Sequence, residues 1–254
     1  MRFIAIIPAR FASTRFPGKP LALLHGKPII QRVYEKVVNL FDETFVATDD
    51  ERISLAVKQF GGNVIMTSPN HKSGTDRCWE AISKISSDKY DVVINIQGDE
   101  PFVHPTQIQL LKDCFNNPNT QIATLVKPFD SDATLETLQN PNSPKVVIGT
   151  DMRALYFSRS VIPYIRGNEQ SEWLHTHTFY KHLGLYAYKT EVLKEITQLQ
   201  QSELEKAESL EQLRWLENGY HIQVGITNHE TVGIDTPEDL IKAEAFLNTQ
   251  KQQH

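Results

Sequence analysis

The sequence predicts an α/β fold, with a mostly parallel, doubly wound sheet and an antiparallel section embedded in it. In the first half of the chain, short apolar runs rich in β-branched residues alternate with amphipathic segments, a pattern typical of parallel sheets. From about residue 142 the pattern changes to two strands joined by a short turn, which predicts a hairpin. We therefore expect a single domain over residues 1–254, with internal divisions after residues 141 and 225.

Local start and stop signals define the elements of the first half. The apolar run at 3–7 predicts a buried strand that breaks at Pro8. Asp49-Asp50 predicts the cap of a helix that ends at Gly61. The predicted series consists of strands at 3–7, 44–48, 63–66, 91–97 and 121–126, and helices at 26–40, 49–60, 73–85 and 105–115.

The second half has longer connections between its elements. Its helical region ends at Gly219, a residue suited to the turn after a helix. Thr236-Pro237 predicts the start of the last helix, because a capping residue precedes a proline at the first helical position. The predicted elements are hairpin strands at 146–148 and 154–157, a strand at 179–188, a helical region at 202–218, a strand at 222–225 and a helix from 236.

The composition argues against membrane and nucleic-acid partners. With 40% hydrophobic and 22% charged residues, the chain has the composition of a globular protein, and its net charge of -5 argues against general nucleic-acid binding. The sequence has no run of about 18 apolar residues, so we expect no membrane span. Met1-Arg2 leads straight into the first strand, so we expect no signal peptide. Cys78 and Cys114 are far apart in the sequence and have no metal-type spacing, which is typical of reduced thiols. We therefore predict a cytoplasmic protein.

The loop after the first strand predicts a phosphate site. Three cations within ten residues lie at the carboxyl end of a core strand, where open α/β sheets bind ligands. Arginine and lysine both suit phosphate, although a solvated basic loop is the alternative. Neither G-x-x-x-x-G-K-[ST] nor G-x-G-x-x-G follows the strand, so the loop is not a P-loop. The residues concerned are Arg10, Ser13, Thr14, Arg15, Gly18 and Lys19.

Two carboxylates are candidate ligands for a divalent cation. Asp99 follows a core strand, with Gly98 permitting close approach and Glu100 beside it. Asp235 follows a second short apolar run. The alternatives are a turn-forming aspartate at 99 and a helix cap at Asp235 or Thr236. Two aspartates at separate strand ends, with a cationic loop, favour a metal site.

Three further patterns are weaker indicators of a site. The helix start at 73–77 contains Arg77 and could bind a base or a phosphate, although any good helix start has this appearance. His182 and Tyr186 lie on the same face of the predicted strand and suggest a sugar-lined pocket, whereas a lone core histidine is the commoner case. Glu211-Gln212 lies in the middle of the predicted helical region, and the simplest interpretation of this pair by itself is a solvated helix face.

Five segments, taken together, resemble a known enzyme family. The segment IIPARFASTRFPGKPL at 6–21 is similar to the opening signature of the CMP-sugar-acid synthetases. SGTDR at 73–77, NIQGDEP at 95–101, KHLG at 181–184 and VGIDTPEDL at 232–240 continue the resemblance, in order, to the branch that acts on 3-deoxy-manno-octulosonate (KDO). The departures are small: Asp76 and Lys181 stand where the family often has glutamate and arginine.

This resemblance implies a fold, an activity and an assembly. The fold is Rossmann-like, of the nucleotide-diphospho-sugar transferase type, with a nucleotide-binding half at 1–141, a sugar-binding and dimerisation section at 142–225, and a metal-ligand strand end with the last helix at 226–254. The activity is transfer of CMP from CTP to KDO with Mg²⁺ and release of pyrophosphate. The implied context is a cytoplasmic homodimer that serves lipopolysaccharide assembly.

The resemblance also implies roles for individual residues. Arg10, Lys19, Asp99 and Asp235 form the implied catalytic set. Roles in binding are implied for Arg10, Ser13, Arg15 and Lys19 at the CTP phosphates, for Ser73 and Arg77 on the nucleotide side, for Asp99 and Asp235 at Mg²⁺, and for Gln97, Arg159, His182, Tyr186, Glu211 and Gln212 at the sugar acid.

Other functions differ from this one in identifiable features. A cytidylyltransferase for a sialic acid needs only a different sugar pocket, and the segment at 181–184 favours KDO. A nucleotide-sugar-dependent glycosyltransferase usually has Asp-x-Asp after a core strand, whereas this chain has Gly98-Asp99-Glu100. The missing glycine fingerprint argues against hydride transfer. Only turnover distinguishes an enzyme from a non-catalytic nucleotide sensor.

Overall fold

The computed structural model describes residues 1–85, 87–230 and 233–251, and the side chains of all of these except 249–251. The strands are β1 (Phe3–Ala9), β2 (Leu23–Leu24), β3 (Lys27–Pro28), β4 (Glu43–Thr48), β5 (Asn63–Met66), β6 (Val92–Asn95), β7 (Ile122–Pro128), β8 (Lys145–Ile148), β9 (Ala154–Ser158), β10 (Tyr180–Lys189) and β11 (Ile222–Ile226). The helices are α1 (Ile29–Val37), α2 (Glu51–Gln59), α3 (Gly74–Ile85), α4 (Pro105–Asp113), α5 (Leu135–Gln139), α6 (Trp173–Thr176), α7 (Thr190–Ile196), α8 (Glu203–Glu208), α9 (Glu211–Glu217) and α10 (Pro237–Lys251).

The first of two compact units contains residues 1–108 and 233–251. Its sheet has the order β6-β1-β4-β5, and the neighbouring strands are parallel throughout. Helices α1, α2 and α3 pack against this sheet. The central strands are buried, and their apolar residues Ile4, Ile6, Val46 and Val93 have no contact with water. Such apolar strands are typical of parallel sheets covered on both faces.

The second unit contains residues 109–230 and has a mixed sheet. Strands β11 and β7 are parallel, whereas β10 is antiparallel to both β7 and β8. Strands β8 and β9 form the antiparallel hairpin that the sequence predicts. The predicted α/β class, with parallel strands and an antiparallel section, is therefore confirmed, whereas the divisions at 141 and 225 stay predictions.

Two predicted elements of the first unit need correction. Pro8 does not break the first strand: β1 continues to Ala9, and Pro8 pairs in register with Ala47 of β4. Because the pairing of β1 with β6 ends at Ile6, the missing N–H of Pro8 lies beyond that ladder. The helix predicted from residue 26 begins only at Ile29, since β2 and β3 form a small hairpin before it.

The predicted helical region at 202–218 is confirmed, and it consists of two helices. Helix α8 begins with a capping box of Ser202 and Glu205 and ends before Ser209. Ser209 has the left-handed conformation with φ 50°, which the i→i−4 hydrogen bonds of a continuous helix do not accommodate. Leu210 then caps α9 in an extended conformation.

Most other local signals are confirmed. The Asp50 side chain accepts a hydrogen bond from the Arg52 backbone N–H and caps α2. Strand β5 has the predicted bounds, and Gly61 follows α2 with φ 80°. In the described part of the chain, none of the helices combines the length and apolar character that crossing a bilayer requires.

A polar network stabilises the loop before α3. Glu80 of α3 accepts a hydrogen bond from the Ser68 backbone N–H at 2.8 Å, pairs with Lys84 at 2.6 Å and contacts His71 through its Oε2 atom. Burial opposes ionisation of Glu80, but the hydrogen bonds from Lys84, Ser68 and His71 outweigh it and lower the pKa of this carboxyl to about 2. The ionised glutamate therefore connects the loop to the helix.

Close backbone approach is required at Gly98, just beyond β6. The chain continues to follow β1 after β6 ends, since the Ile96 N–H donates to the Ile6 carbonyl at 3.0 Å. A Cβ atom at Gly98 would lie 2.7 Å from the Pro8 carbonyl oxygen, which is a backbone atom and cannot rotate away. Gly98 thus allows the residues after β6 to lie against the end of β1.

We expect Glu80→Gln to lower the free energy of unfolding at neutral pH by about 3 kcal/mol at most. A lowered pKa contributes stability above the ordinary glutamate value of 4.5, and this contribution is lost as the pH falls toward about 2. Urea denaturation from pH 7 to pH 3 should show the difference from wild type shrinking on the acid side. Glu51→Gln, at an exposed glutamate of α2, is the control, and a pH-independent difference would contradict the assignment.

We expect Gly98→Ala to destabilise the protein by about 1–3 kcal/mol, because the added methyl group meets the Pro8 carbonyl. Urea denaturation measures the effect. Gly233→Ala is the matched control, because a Cβ atom there would lie 4.0 Å from its nearest neighbour, Glu100 Cγ. Equal stability of the two variants would show that the close approach at Gly98 is not a constraint.

Candidate active site

The first unit contains a cavity of about 300 Å³ at the carboxyl ends of β1 and β6. Most of the candidates that the sequence provides from this unit line it, including the cations of the basic loop and both aspartates, whereas Gly18 is not a lining residue. Residues lining the cavity include Arg10, Ser13, Arg15, Lys19, Ser73, Arg77, Gln97, Asp99 and Asp235.

Lys19 is the central charge of this cavity. Its side chain is only 11% exposed, and its Nζ atom lies 2.5 Å from Asp99 Oδ2 and 3.0 Å from Asp235 Oδ1. Burial alone would lower the pKa of Lys19, but attraction by Asp99 and Asp235 outweighs it and raises the pKa above the ordinary lysine value. Arg15 pairs with the other oxygen of Asp235 at 3.1 Å. The two predicted metal ligands therefore converge on one cation.

The Asp235 carboxylate is not the cap of the last helix. Thr236 performs that role, since its hydroxyl accepts from the Asp239 N–H, and Asp239 in turn accepts from the Thr236 and Asp235 N–H groups. The Ile234 N–H donates to the Asp99 carbonyl at 2.9 Å, which connects the two aspartate segments. Val232, at the start of the segment 232–240, lies outside the described residues.

The basic loop is shaped by its own backbone. The Phe11 carbonyl accepts from both the Ser13 and the Gly18 N–H groups at 2.9 Å, so the loop folds back on itself. Gly18 has φ 72°, a conformation that favours glycine, and directly precedes Lys19. Arg10 and Arg15 are exposed at the cavity and hence accessible to an anionic ligand.

The helix start at 73–77 serves a structural purpose as well as lining the cavity. The Ser73 hydroxyl accepts from the Asp76 N–H at 3.1 Å and caps α3. Arg77 is 4% exposed, donates to the Thr67 hydroxyl at 2.6 Å and pairs with Asp49 at 3.3 Å. Because Asp49 neutralises Arg77 within the protein, a direct contact of Arg77 with a nucleotide stays a prediction.

The sequence reasoning missed two residues of the cavity wall. His71 and Lys72 line the cavity just before Ser73. The signal was present as a histidine and a lysine next to a polar helix start, but the orientation of His71 depends on Glu80, nine residues further on.

Glu100 is a third carboxyl group next to Asp99. Burial raises the pKa of Glu100 to about 8, with the charges of Asp99 and Asp235 adding to the effect and Lys19 opposing it. Its Oε2 atom is buried and has no hydrogen-bond partner among the described residues. At neutral pH this group is therefore mostly protonated, which leaves Asp99 and Asp235 as the anionic pair.

The donor set of the cavity fits Mg²⁺. Asp99 and Asp235 offer hard carboxylate oxygens, and their convergence on the Lys19 ammonium shows that this point already favours a cation. Within the described residues there is no group of three or more His, Cys, Asp and Glu side chains that could hold a metal. Mg²⁺ is commonly held by one or two carboxylates together with substrate phosphates, and Asp99 and Asp235 supply two carboxylates.

The second unit brings His182 and Tyr186 together. Their rings are 5.2 Å apart, although the register of β10 against β7 shifts between Leu183 and Tyr186. The Thr124 hydroxyl donates to the Leu185 carbonyl at 2.8 Å, so it acts as acceptor toward His182 Nε2 at 3.0 Å, leaving Nδ1 of the neutral ring as an acceptor. Burial lowers the pKa of His182 to about 3, and the ring is neutral at physiological pH.

Helix α9 places two more predicted residues beside Tyr186. Trp215 packs against Tyr186 with ring centroids 5.1 Å apart and fixes the helix on β10. Burial, followed by the charge of Glu211, raises the pKa of Tyr186 well above its ordinary value. Gln212 is 4% exposed, and its Nε2 atom makes no hydrogen bond to the described residues. The interpretation of Glu211-Gln212 as a solvated face is therefore wrong for Gln212.

Arg159 is engaged by backbone oxygens of the second unit. Its Nε donates to the Glu208 carbonyl at 2.6 Å, its Nη1 to the Pro141 carbonyl at 2.8 Å and its Nη2 to the Ser209 carbonyl at 3.2 Å. A guanidinium has five N–H groups, so two are left by these bonds. A contact of Arg159 with a substrate carboxylate stays a prediction.

Comparison with known proteins places this geometry in a family. A family model described as Cytidylyltransferase matches residues 4–224. The chain is 69% identical to the 3-deoxy-manno-octulosonate cytidylyltransferase of Parabacteroides distasonis, with 97% of this chain and 98% of the relative covered. It is 58% identical to the protein of the same name from Porphyromonas gingivalis, with 97% of each covered.

Solved structures agree with these matches. The structure of a CMP:2-keto-3-deoxy-manno-octonic acid synthetase complexed with CTP is similar with a TM-score of 0.89 and 40% identity, covering 98% of this chain and 100% of the other. The 4-diphosphocytidyl-2C-methyl-D-erythritol synthase of Anaerococcus prevotii has a TM-score of 0.61 at 14% identity, with 97% and 96% covered, and supports the fold alone. This chain therefore belongs to the cytidylyltransferase family, with relatives named 3-deoxy-manno-octulosonate cytidylyltransferases.

Proposed function

We propose that this chain transfers CMP from CTP to the anomeric hydroxyl of KDO in an Mg²⁺-dependent reaction, giving CMP-KDO and pyrophosphate. The observation that carries the proposal is the cavity in which the cations of the basic loop and two aspartates converge on Lys19. Such a cavity suits a polyphosphate with a divalent cation. The choice of CTP and KDO is supported by the names of relatives up to 69% identical over nearly their full length.

In this reaction the anomeric oxygen of KDO forms a bond to the α-phosphorus of CTP while the bond to the bridging oxygen breaks. Pyrophosphate leaves with the electron pair of that bond, and the hydroxyl proton passes to solvent. The chain's part is to align the reactants and neutralise charge, since phosphoryl chemistry needs little covalent help. Arg10, Arg15 and Lys19 are placed for charge neutralisation.

Asp99 and Asp235 are the proposed Mg²⁺ ligands, and the bound ion supplies charge neutralisation at the phosphate oxygens of CTP. Lys19 lies between these carboxylates and pairs with both of them. Its ammonium is also a proposed partner of the phosphates, in the manner of a fixed point charge. Ser13, Ser73 and Arg77 complete the proposed nucleotide contacts.

The proposed acceptor contacts are Gln97, in the cavity of the first unit, and five residues of the second unit, Arg159, His182, Tyr186, Glu211 and Gln212. Neutral His182, protonated Tyr186 and the buried Gln212 amide suit sugar hydroxyls, which are recognised by uncharged hydrogen-bonding groups. The remaining N–H groups of Arg159 suit the carboxylate.

The same proposal makes the enzyme a cytoplasmic homodimer that supplies CMP-KDO for lipopolysaccharide assembly. Its support is the resemblance of five segments between residues 6 and 240 to the KDO branch of the family.

We expect pyrophosphate release from CTP and Mg²⁺ when KDO is offered, and none when N-acetylneuraminic acid is offered in parallel. The physical reason is that the phosphate site is common to both reactions, whereas the sugar-contacting residues differ. A coupled pyrophosphate assay measures the release, and chelation of Mg²⁺ should abolish it. Pyrophosphate release with the sialic acid alone would support the proposed mechanism but contradict KDO as the acceptor. Release with neither sugar would contradict the proposed function.

We expect Asp99→Asn to slow turnover by about 10²-fold or more, because the neutral amide weakens both the metal site and the ion pair with Lys19. The variant should also need more Mg²⁺ for half-maximal rate and bind Mg²⁺ with CTP more weakly in calorimetry. Asp42→Asn, at an exposed aspartate before β4, is the control. An Asp99→Asn enzyme with the wild-type dependence on Mg²⁺ would contradict the metal assignment.

A further inference from the structure

The end of α8 has a polar network that includes Glu208, a residue to which the proposed reaction gives no role. Glu208 is the last residue of this helix, and both of its carboxylate oxygens accept hydrogen bonds from the end of β9. The Ser158 hydroxyl donates to Oε1 at 2.6 Å, and the Arg159 backbone N–H donates to Oε2 at 2.9 Å. The carboxylate is thus fixed on β9.

The same junction is also held from the opposite side. The Arg159 guanidinium donates to the carbonyls of Glu208, the last residue of α8, and of Ser209, its C-cap, which would otherwise have no helical partner. Its third bond, to the Pro141 carbonyl, fixes the guanidinium itself. Residues 158–159 and 208–209 therefore clamp each other reciprocally through backbone and side-chain groups.

This clamp surrounds a strained turn. Ser209 has φ 50° and ψ 47°, a left-handed conformation that side-chain-bearing residues seldom adopt. Such conformations persist where surrounding bonds determine them. Since α9 begins two residues later at Glu211, the direction of α9 depends on how this turn is held.

Helix α9 packs against Tyr186 and carries two of the proposed acceptor contacts, Glu211 and Gln212. Its Trp215 packs against Tyr186, and its Gln212 presents a buried amide nitrogen with no hydrogen-bond partner among the described residues. A buried donor left without a partner is costly, so an acceptor from a ligand is its natural complement. A small rotation of α9 would move this donor and Glu211 together.

We infer that Glu208 is a positioning residue for the acceptor sugar, because it fixes the α8–α9 junction and thereby places Glu211 and Gln212. The inference rests on the proposed function for the identity of the sugar. Glu208 touches no substrate in this role, and acts through the segment that it holds. A displacement of about 1 Å at a binding group can lower the rate about 10²-fold.

The test compares Glu208→Ala, Glu208→Gln and Glu203→Ala. Alanine removes both acceptors, whereas glutamine keeps one oxygen for the Arg159 N–H and can donate to the Ser158 hydroxyl, so it should rescue most of the loss. Glu203→Ala is the matched control on the same helix, because that side chain is 88% exposed and pairs with Lys206. Ser158→Ala, which removes a single bond to Glu208, replaces Glu208→Ala if that variant does not fold.

Kinetics and hydrogen exchange provide separate readouts. We expect Glu208→Ala to lower kcat/KM for KDO about 10- to 100-fold with KM for CTP unchanged. Amides at 210–217 should exchange faster in this variant and at the wild-type rate in Glu203→Ala. Equal losses for both substrates, a glutamine variant as impaired as alanine, or unchanged exchange at 210–217 would overturn the inference. A wild-type chain inactive with KDO would overturn the proposed function alone, since the exchange result does not depend on the sugar.

Discussion

The ion pairs of Lys19 with Asp99 and Asp235 are the constraint on which the candidate active site depends. A lysine that is almost fully removed from water requires counter-charges, and these come from segments 80 and 216 residues away. The three segments lie at the ends of β1 and β6 and before α10, and the shared charge brings them to one point. The cavity is therefore built around a cation that belongs to the protein itself.

The two units offer different kinds of recognition groups. The cavity of the first unit contains full charges on exposed arginines, a buried lysine and two aspartates. In the second unit, burial keeps His182 neutral and Tyr186 protonated, so that both act as hydrogen-bonding groups. In the proposed reaction the charges of the first unit suit the phosphates, and the uncharged groups of the second unit suit the sugar hydroxyls.

Local sequence signals predicted most of the fold and most of the candidate residues at the cavity of the first unit. Periodicity located β4, β5 and the β8–β9 hairpin, and Asp50 and Ser73 cap the helices that they were expected to cap. The placement of the basic loop and Asp99 follows from a general rule, since the carboxyl ends of parallel strands share an edge. Four of the five family segments then pointed to residues that line one cavity, and the segment at 181–184 lies in the second unit.

The sequence by itself determined which elements form and which residues gather at the cavity, because both depend on patterns a few residues long. Only the tertiary structure decided what each charged side chain contacts. Pro8 stays in β1 because pairing with β6 ends before it. The helical region at 202–218 consists of two helices, and Arg159, about 50 residues earlier, donates to the carbonyls of Glu208 and Ser209 between them. Likewise Arg77 is neutralised by Asp49. These outcomes depend on hydrogen bonds and ion pairs between distant residues, and no local pattern encodes such partners.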